Sequence, residues 1–583
     1  MEGIKLCIVL FGLFLIKNIN ADFIVETTLG KIAGVEVKSI LKDEKYYSFM
    51  GIPYAKPPVG DLRFLAPQLH EGWKDVLETK KERKPCSQMN LPMRTIKRYG
   101  FSGQDDCLTL SIYTPKLPSN EDLNLPVIVH INSEVLKISH NASRDYGPDF
   151  IVKEDVILVS IHHRIGSLGF LAFNDEKLPG NNGIRDVIMA LNWLKQNVDK
   201  FGGDPNRVTL MGVGGGAALV ELLLRSKKAK GLFSNAILQS GTAMNPVYMP
   251  LNPKEKASAL AKILEKSAVT SDNLLAELSH VSSIDIVTHE SLSVDADEAG
   301  KKQVATLPFG PVVEPEHPDA IVTSLPEDGP IDIDVPVMIG YNSRESIEMN
   351  ERFLRKPQYL TFADRDFLMV FPIRVDYHFE LNSKAYFSAI DEIKEFYFDE
   401  GYVKVSKPGE HLTYTADLLV FYPIDYALRK YVNESTSPIY YYTFDYSGEL
   451  NMRKNELLKD ALTIEGTWGA ASRDELCYLF VCKPIRKLYK KVLEDEDSEE
   501  LKVIKNMVKL WTNFAKSGNP TPEGSDFTWT PATKENKDCL VISEELQMKQ
   551  NLHGDRIKFW DDFIAKYRAK AVDGVIKDLK DEL

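Results

Sequence analysis

The chain is predicted to adopt an α/β fold, a mostly parallel central sheet flanked by helices, and three observations carry that prediction. Short branched apolar runs, Val127 to Ile131 and Val156 to Ile161, are bounded by polar loops as buried parallel strands are. Asp186 to Val198 spaces its apolar residues with the helical period. Arg207 to Met211 then reads as a further strand, Gly212 to Gly216 as a turn and Ala217 to Leu224 as a helix, so strands and helices alternate. Composition agrees: 44% of residues are hydrophobic, with 27 Phe and 24 Tyr, enough to fill a large core and to exclude a mostly disordered chain. The formal net charge of −13 has the wrong sign for a broad nucleic-acid footprint.

The two ends read as addresses. Met1 to Lys5 is followed by the apolar run Leu6 to Ile16 and then by Ala21, a small residue suited to cleavage. That run is too short for a bilayer and fits a secretory signal peptide over residues 1–21. No later stretch approaches the about 18 uninterrupted apolar residues that a membrane span needs. The last residues, Lys580-Asp581-Glu582-Leu583, form the KDEL tetrapeptide that a recycling receptor of the endoplasmic reticulum (ER) reads at a free C-terminus. Together the ends predict residence in the ER lumen, with the KDEL receptor as a partner. Residues 566–583 read as a charge-rich tail, mobile enough to present the signal.

With the signal peptide removed, Cys86, Cys107, Cys477, Cys482 and Cys539 remain, and the odd count leaves at least one thiol free or paired between chains. Asn141 and Asn433 head N-x-S sequons, glycosylation acceptors in such a compartment. The acidic run Glu494 to Asp497, with Glu499 and Glu500, reads as solvated surface. No internal repeat or long low-complexity linker divides the chain.

Several longer motifs run in order along nearly the whole mature chain. They are Phe49 to Gly60 (FMGIPYAKPPVG) with Leu62-Arg63-Phe64, Asp106-Cys107-Leu108 with Ile112 to Pro115, and Gly180 to Asp186 (GNNGIRD). Phe201 to Pro205 (FGGDP), Gln239-Ser240-Gly241, and Trp511 to Ala515 with Gly518-Asn519-Pro520 continue the series. This set resembles the carboxylesterase/cholinesterase family, most of all its secreted insect members. The resemblance implies a single α/β-hydrolase domain with long insertions, here residues 22–565, in place of the roughly four domains that length alone suggests. It also implies carboxylic ester hydrolysis by a serine nucleophile, and a disulfide between Cys86 and Cys107 worth roughly 3 kcal/mol in a chain-entropy estimate. It supplies no pairing for Cys477, Cys482 or Cys539, and no cofactor.

The motifs that carry the family's chemistry depart from its pattern. The nucleophile belongs on a strand-to-helix turn G-x-S-x-G, and here the turn is Gly212-Val213-Gly214-Gly215-Gly216. Gly214 has no side chain with which to form an acyl intermediate. Glu345, in Gly340-Tyr341-Asn342-Ser343-Arg344-Glu345-Ser346, matches the acid that orients the base, although Ser346 replaces a glycine. At the base position, in Gly469-Ala470-Ala471-Ser472-Arg473-Asp474-Glu475, stands Ser472, and no histidine lies between His411 and His553. The oxyanion glycines that should follow a strand are replaced in Asn132-Ser133-Glu134-Val135-Leu136. Glu134 would bring negative charge to where an oxyanion forms, and β-branched Val135 resists a positive φ; Gly215 supplies the remaining oxyanion position.

The expectation is therefore a non-catalytic family member that binds an apolar small-molecule ester or a lumenal protein. One rival is an active hydrolase with a non-standard site, for which Ser240 or Ser343 would be candidates. Another is an adhesion or scaffold protein, against which KDEL counts. A dinucleotide reading of Gly212-x-Gly214-x-x-Ala217 fails because the next strand, Asn235 to Ser240, ends without an acid. His162-His163 lack a second ligand pair at zinc spacing, so no metal site is expected.

Overall fold

Alternate residues along each central strand face two different cores. Val127, Val129 and Ile131 enter one apolar cluster while Ile128 enters the other, and Ile237 and Leu238 divide the same way. A sheet buried on both faces is the arrangement that continuous branched runs require. The computed structural model describes residues 23–89, 100–119, 123–139, 145–295 and 297–578.

The sheet comprises β1 (Phe23–Thr27), β2 (Gly30–Lys38), β3 (Lys45–Pro53), β4 (Thr109–Thr114), β5 (Leu125–Asn132), β6 (Ile157–Ile161), β7 (Gly203–Val213), β8 (Asn235–Gln239), β9 (Val337–Asn342), β10 (Ile439–Phe444), β11 (Asp538–Ile542) and β12 (Leu546–Gln550). Their spatial order is β1-β2-β3-β4-β6-β5-β7-β8-β9-β10-β11-β12, with a short strand, Leu77–Glu78, beside β2. Strands from β6 to β11 run parallel, and the flanking pairs are antiparallel. Helices α1 (Asn182–Asn197), α2 (Gly215–Leu224), α3 (Tyr422–Glu434) and α6 (Gly554–Arg568) cover one face, and α4 (Arg486–Glu494) and α5 (Glu499–Ser517) the other. The predicted α/β architecture holds, and the expected β5, β6, β7, α1 and α2 all form.

The family-like motifs act as scaffold. Arg164 grips Asp186 through two buried contacts, Nε to Oδ2 at 2.8 Å and Nη2 to Oδ1 at 2.6 Å. Its Nη1 donates to the carbonyls of Arg63 and Leu65, and Asn182 Nδ2 donates to that of Phe64. Distant segments of the chain are thus tied at one buried ion pair, which is tolerable only because its hydrogen bonds are satisfied. Cys86 and Cys107 form the implied disulfide, Cys477 and Cys482 a second that was not anticipated, and Cys539 is a buried free thiol.

The boundary expected at residue 565 is corrected. Helix α6 continues to Arg568, and Val575–Ile576 pairs in parallel with His378–Phe379. Tyr567 and Ile576 are apolar enough to join the main core, so the folded body extends past the point where charge density suggested a tail. The segment 1–21, Asn141 and Lys580 to Leu583 lie outside the described residues. Among those described, no helix is long and apolar enough to cross a membrane, and no group of His, Cys, Asp and Glu could hold a metal.

Candidate functional site

The parallel strands end at one edge, where the loops after β5, β7, β8 and β9 meet. Between β7 and α2 the chain reverses at Gly214, with φ 57° and ψ −115°. A side chain held there costs about 1–3 kcal/mol, and glycine removes that cost. The turn closes through Gly214 N–H to the Gln239 carbonyl at 2.8 Å and Gly216 N–H to the Ser133 carbonyl at 2.9 Å. Its neighbours are glycines by contact: a Cβ on Gly216 would lie 2.2 Å from the Ile131 carbonyl oxygen, and one on Gly241 2.1 Å from that of Gly214. Gly214 itself is roomier, since a Cβ there would meet only the Tyr248 hydroxyl, at 3.7 Å.

Glu345 follows β9 and is buried beside this turn. Its carboxylate accepts the Asn342 N–H at 2.7 Å, and the Ser240 and Ser472 hydroxyls lie near enough to favour its charged form. Burial raises its pKa to about 7, the hydrogen bonds opposing and the nearby Asp474 charge adding to the rise. The structure thus brings together Glu345 and Ser472, the acid and base positions of the resemblance. Ser240, considered as a rival nucleophile, is buried close to this carboxylate, and Ser343 Oγ accepts the Ala470 N–H. Ser346 needs no glycine: its φ is not positive and its hydroxyl donates to the Leu412 carbonyl at 2.6 Å.

Two further buried carboxylates follow Ser472. Asp474 accepts backbone N–H groups of Ala471, Arg453 and Lys454, and burial raises it to about 6. Glu475 accepts from Gln239 Nε2 at 3.0 Å and from Asn342 Nδ2, and burial raises it to about 8. A histidine does approach: His553 lines a cavity of about 20 Å³ that Glu345 also lines, room for one water. Burial and the charges of Arg556, Arg344 and Lys549 hold its pKa down to about 3, and it is not among the groups that act on Glu345.

The loop after β5 corrects two expectations. Val135 does take positive φ, 38°, and Leu136 follows at 57°. Glu134 and Ile138 bridge across this tight turn, and the Lys137 N–H donates to the Glu134 carbonyl at 3.0 Å. Both central residues are left-handed, a geometry that favours Asn and Gly, so the tertiary contacts impose it on Val and Leu. Leu136 is fully buried, with Cδ2 only 3.0 Å from where Gly215 would carry a Cβ. The Glu134 N–H is committed to the Ile138 carbonyl at 2.7 Å. Glu134 is also not a free negative charge, because Arg473 pairs with it and with Glu348. Burial lowers the Arg473 guanidinium to about 10, which leaves it charged at neutral pH.

A turn of this shape at the end of a central parallel strand, with a buried acid two strands further, is the geometry of an α/β-hydrolase site. The sequence profile of the carboxylesterase family matches residues 21–560. The chain belongs to the carboxylesterase family. It is 31% identical to esterase FE4 of Myzus persicae over 94% of this chain and 93% of that protein. It is 30% identical to the juvenile hormone esterase of Tribolium castaneum, covering 89% and 88%. The crystal structure of the Manduca sexta juvenile hormone esterase, with OTFP covalently attached, superposes with a TM-score of 0.74 at 25% identity, covering 94% of this chain and all of that one.

Of the other family positions, His162 and His163 are buried, and His163 Nδ1 lies 2.9 Å from the Arg164 carbonyl. Asn433 is exposed near the end of α3, where a glycan would have room. Arg473 and Tyr248 escaped the sequence reading. Arg473 was legible as the residue after the base position, whereas nothing near Tyr248 in the sequence points to Gly214.

Proposed function

We propose that this chain keeps the carboxylesterase scaffold without ester hydrolysis, and that it acts by binding an apolar ligand or a lumenal protein partner. Gly214 at the apex of an intact elbow carries the reading, because a turn preserved in shape without a hydroxyl cannot form an acyl-enzyme. Two observations support it. Glu345 has the Ser240 and Ser472 hydroxyls beside it where an imidazole would be oriented. Leu136 and the Arg473–Glu134 pair stand where oxyanion donors would be required.

An organophosphate probe that labels active family members is the direct test; no adduct is expected, and stoichiometric labelling at any residue would overturn the reading. Gly214→Ser alone should yield no turnover. A combined repair adding Ser472→His and glycines at Ser133, Glu134 and Val135 has a physical route to activity. Robust hydrolysis by the single mutant would mean that the remaining machinery is intact. The ER location rests on the two chain ends: removing Asp581, Glu582 and Leu583 should release folded protein to the medium, and an intact chain already found mainly outside cells would refute retention.

A further inference from the structure

Helix α4 gathers cations on its solvent face. Arg486, Lys487, Lys490 and Lys491 are exposed and, at about 100° per residue, fall within about 140° of arc. Lys483, just ahead of the helix, is exposed too. The opposite face is anchored: Tyr489 and Val492 are buried. The Tyr489 hydroxyl donates to the Cys477 carbonyl at 2.7 Å and accepts the Cys482 N–H at 3.1 Å. The stripe therefore sits on a support closed by the Cys477–Cys482 disulfide. Lys491 reaches Glu449 at 3.5 Å, but Lys483, Arg486, Lys487 and Lys490 form no ion pair among the described residues. An ordinary solvated face intersperses both signs, and here the one acid within the helix, Glu494, comes at its end.

We propose that this stripe docks a short acidic segment of a partner protein. From Arg486 to Lys491 the helical cations extend about 8 Å, the reach of about two to three residues of extended chain, with Lys483 just ahead of them. The choice of a narrow strand over an anionic membrane follows from what borders the stripe. Asp495, Glu496, Asp497 and Glu499 are exposed directly beyond it and would repel a plane, whereas a strand can lie along the cations without meeting them. Exposed pairs each contribute little, so the contact is weak, fast and strongly salt-dependent. The proposal names a surface for the partner-binding part of the reading above, yet does not need a silent elbow. Its test measures no hydrolysis, so the two can fail separately.

The test uses the full mature chain and a fluorescent oligo-glutamate peptide of about six residues, followed by anisotropy at about 50 and about 300 mM salt. Replacing Lys483, Arg486, Lys487 and Lys490 by Gln should weaken binding about tenfold or more, and the added salt should do the same to the unaltered protein. A control with Lys31, Lys227, Lys230 and Lys302 changed to Gln should bind within about twofold of the original. No binding at low salt, equal loss in both variants, or stripe-dependent binding to phosphatidylserine vesicles as tight as to the peptide would each overturn the proposal.

Discussion

Two neighbouring loops, after β5 and after β7, solve the same geometric problem in opposite ways. Both leave adjacent parallel strands at the same edge, and both need left-handed backbone. The turn after β7 uses glycine at its apex and at each close approach, so its shape costs little. The loop after β5 places Val135 and Leu136 at positive φ and holds them by burial of Leu136, the Glu134–Ile138 bridge and the Arg473 ion pairs. The elbow is thus dictated by the scaffold around it, and the β5 loop by contacts of its own.

The sharpest way to break the comparison lies within the elbow. Gly216→Ala should leave no folded protein, because its Cβ would sit 2.2 Å from the Ile131 carbonyl. Gly214→Ala, two residues away, should cost only about 1–3 kcal/mol for its positive φ. Soluble yield and thermal midpoints of the two variants compare them directly, and similar losses would show that the elbow is not set by those close approaches.

On the β5 side the largest effect should come from Arg473. Arg473→Met removes the cation that Glu134 and Glu348 share, Glu348 keeping Arg453, and should cost about 2–3 kcal/mol by urea unfolding. Adding Glu134→Gln should recover part of that loss, with Glu348 left in place as the partner of Arg453, and failure to do so would mean that Arg473 acts through packing rather than charge.

A pH effect separates the acids behind the elbow from both loops. Unfolded carboxyls ionise near 4, whereas burial holds Asp474, Glu345 and Glu475 at about 6, 7 and 8. Between those limits the folded state keeps protons that the unfolded chain releases. Stability from these groups is therefore full below about pH 4 and falls as pH rises through about 8, by at most about 1.4 kcal/mol per pH unit for each group. Glu345→Gln should flatten part of that slope in unfolding measured at about pH 5 and about pH 8, and an unchanged slope would remove Glu345 from the set.

The smallest effect has the opposite sign. Val135→Asn should stabilise the protein by up to about 1 kcal/mol, because Asn tolerates the left-handed region and little apolar surface is lost. A destabilised variant would show that packing of the valine outweighs its backbone strain.

Sheet and helices were legible in the sequence because apolar spacing reports burial directly: branched runs buried on both faces gave β5 and β6, and the 3.6-residue period gave α1. The site was legible in identity but not in energetics. Gly214, Glu345 and Ser472 stand at one edge as their motifs implied, yet whether Val135 could adopt positive φ, and whether Glu134 stays an unpaired charge, were misjudged from residue type alone.

What the sequence determined by itself is the alternation of strands and helices, the family motifs and the identity of the residue at each motif position, since all three are local patterns or plain chemistry. Tertiary structure alone decided that Arg473 reaches Glu134 across 339 positions of chain, that Gln239 and Asn342 converge on the Glu475 carboxylate, and that Val575–Ile576 returns to pair with His378–Phe379. The physical reason is common to all of them. Intrinsic preferences at a single residue are about 1–2 kcal/mol, and a buried ion pair or a packed side chain supplied from far along the chain outweighs them.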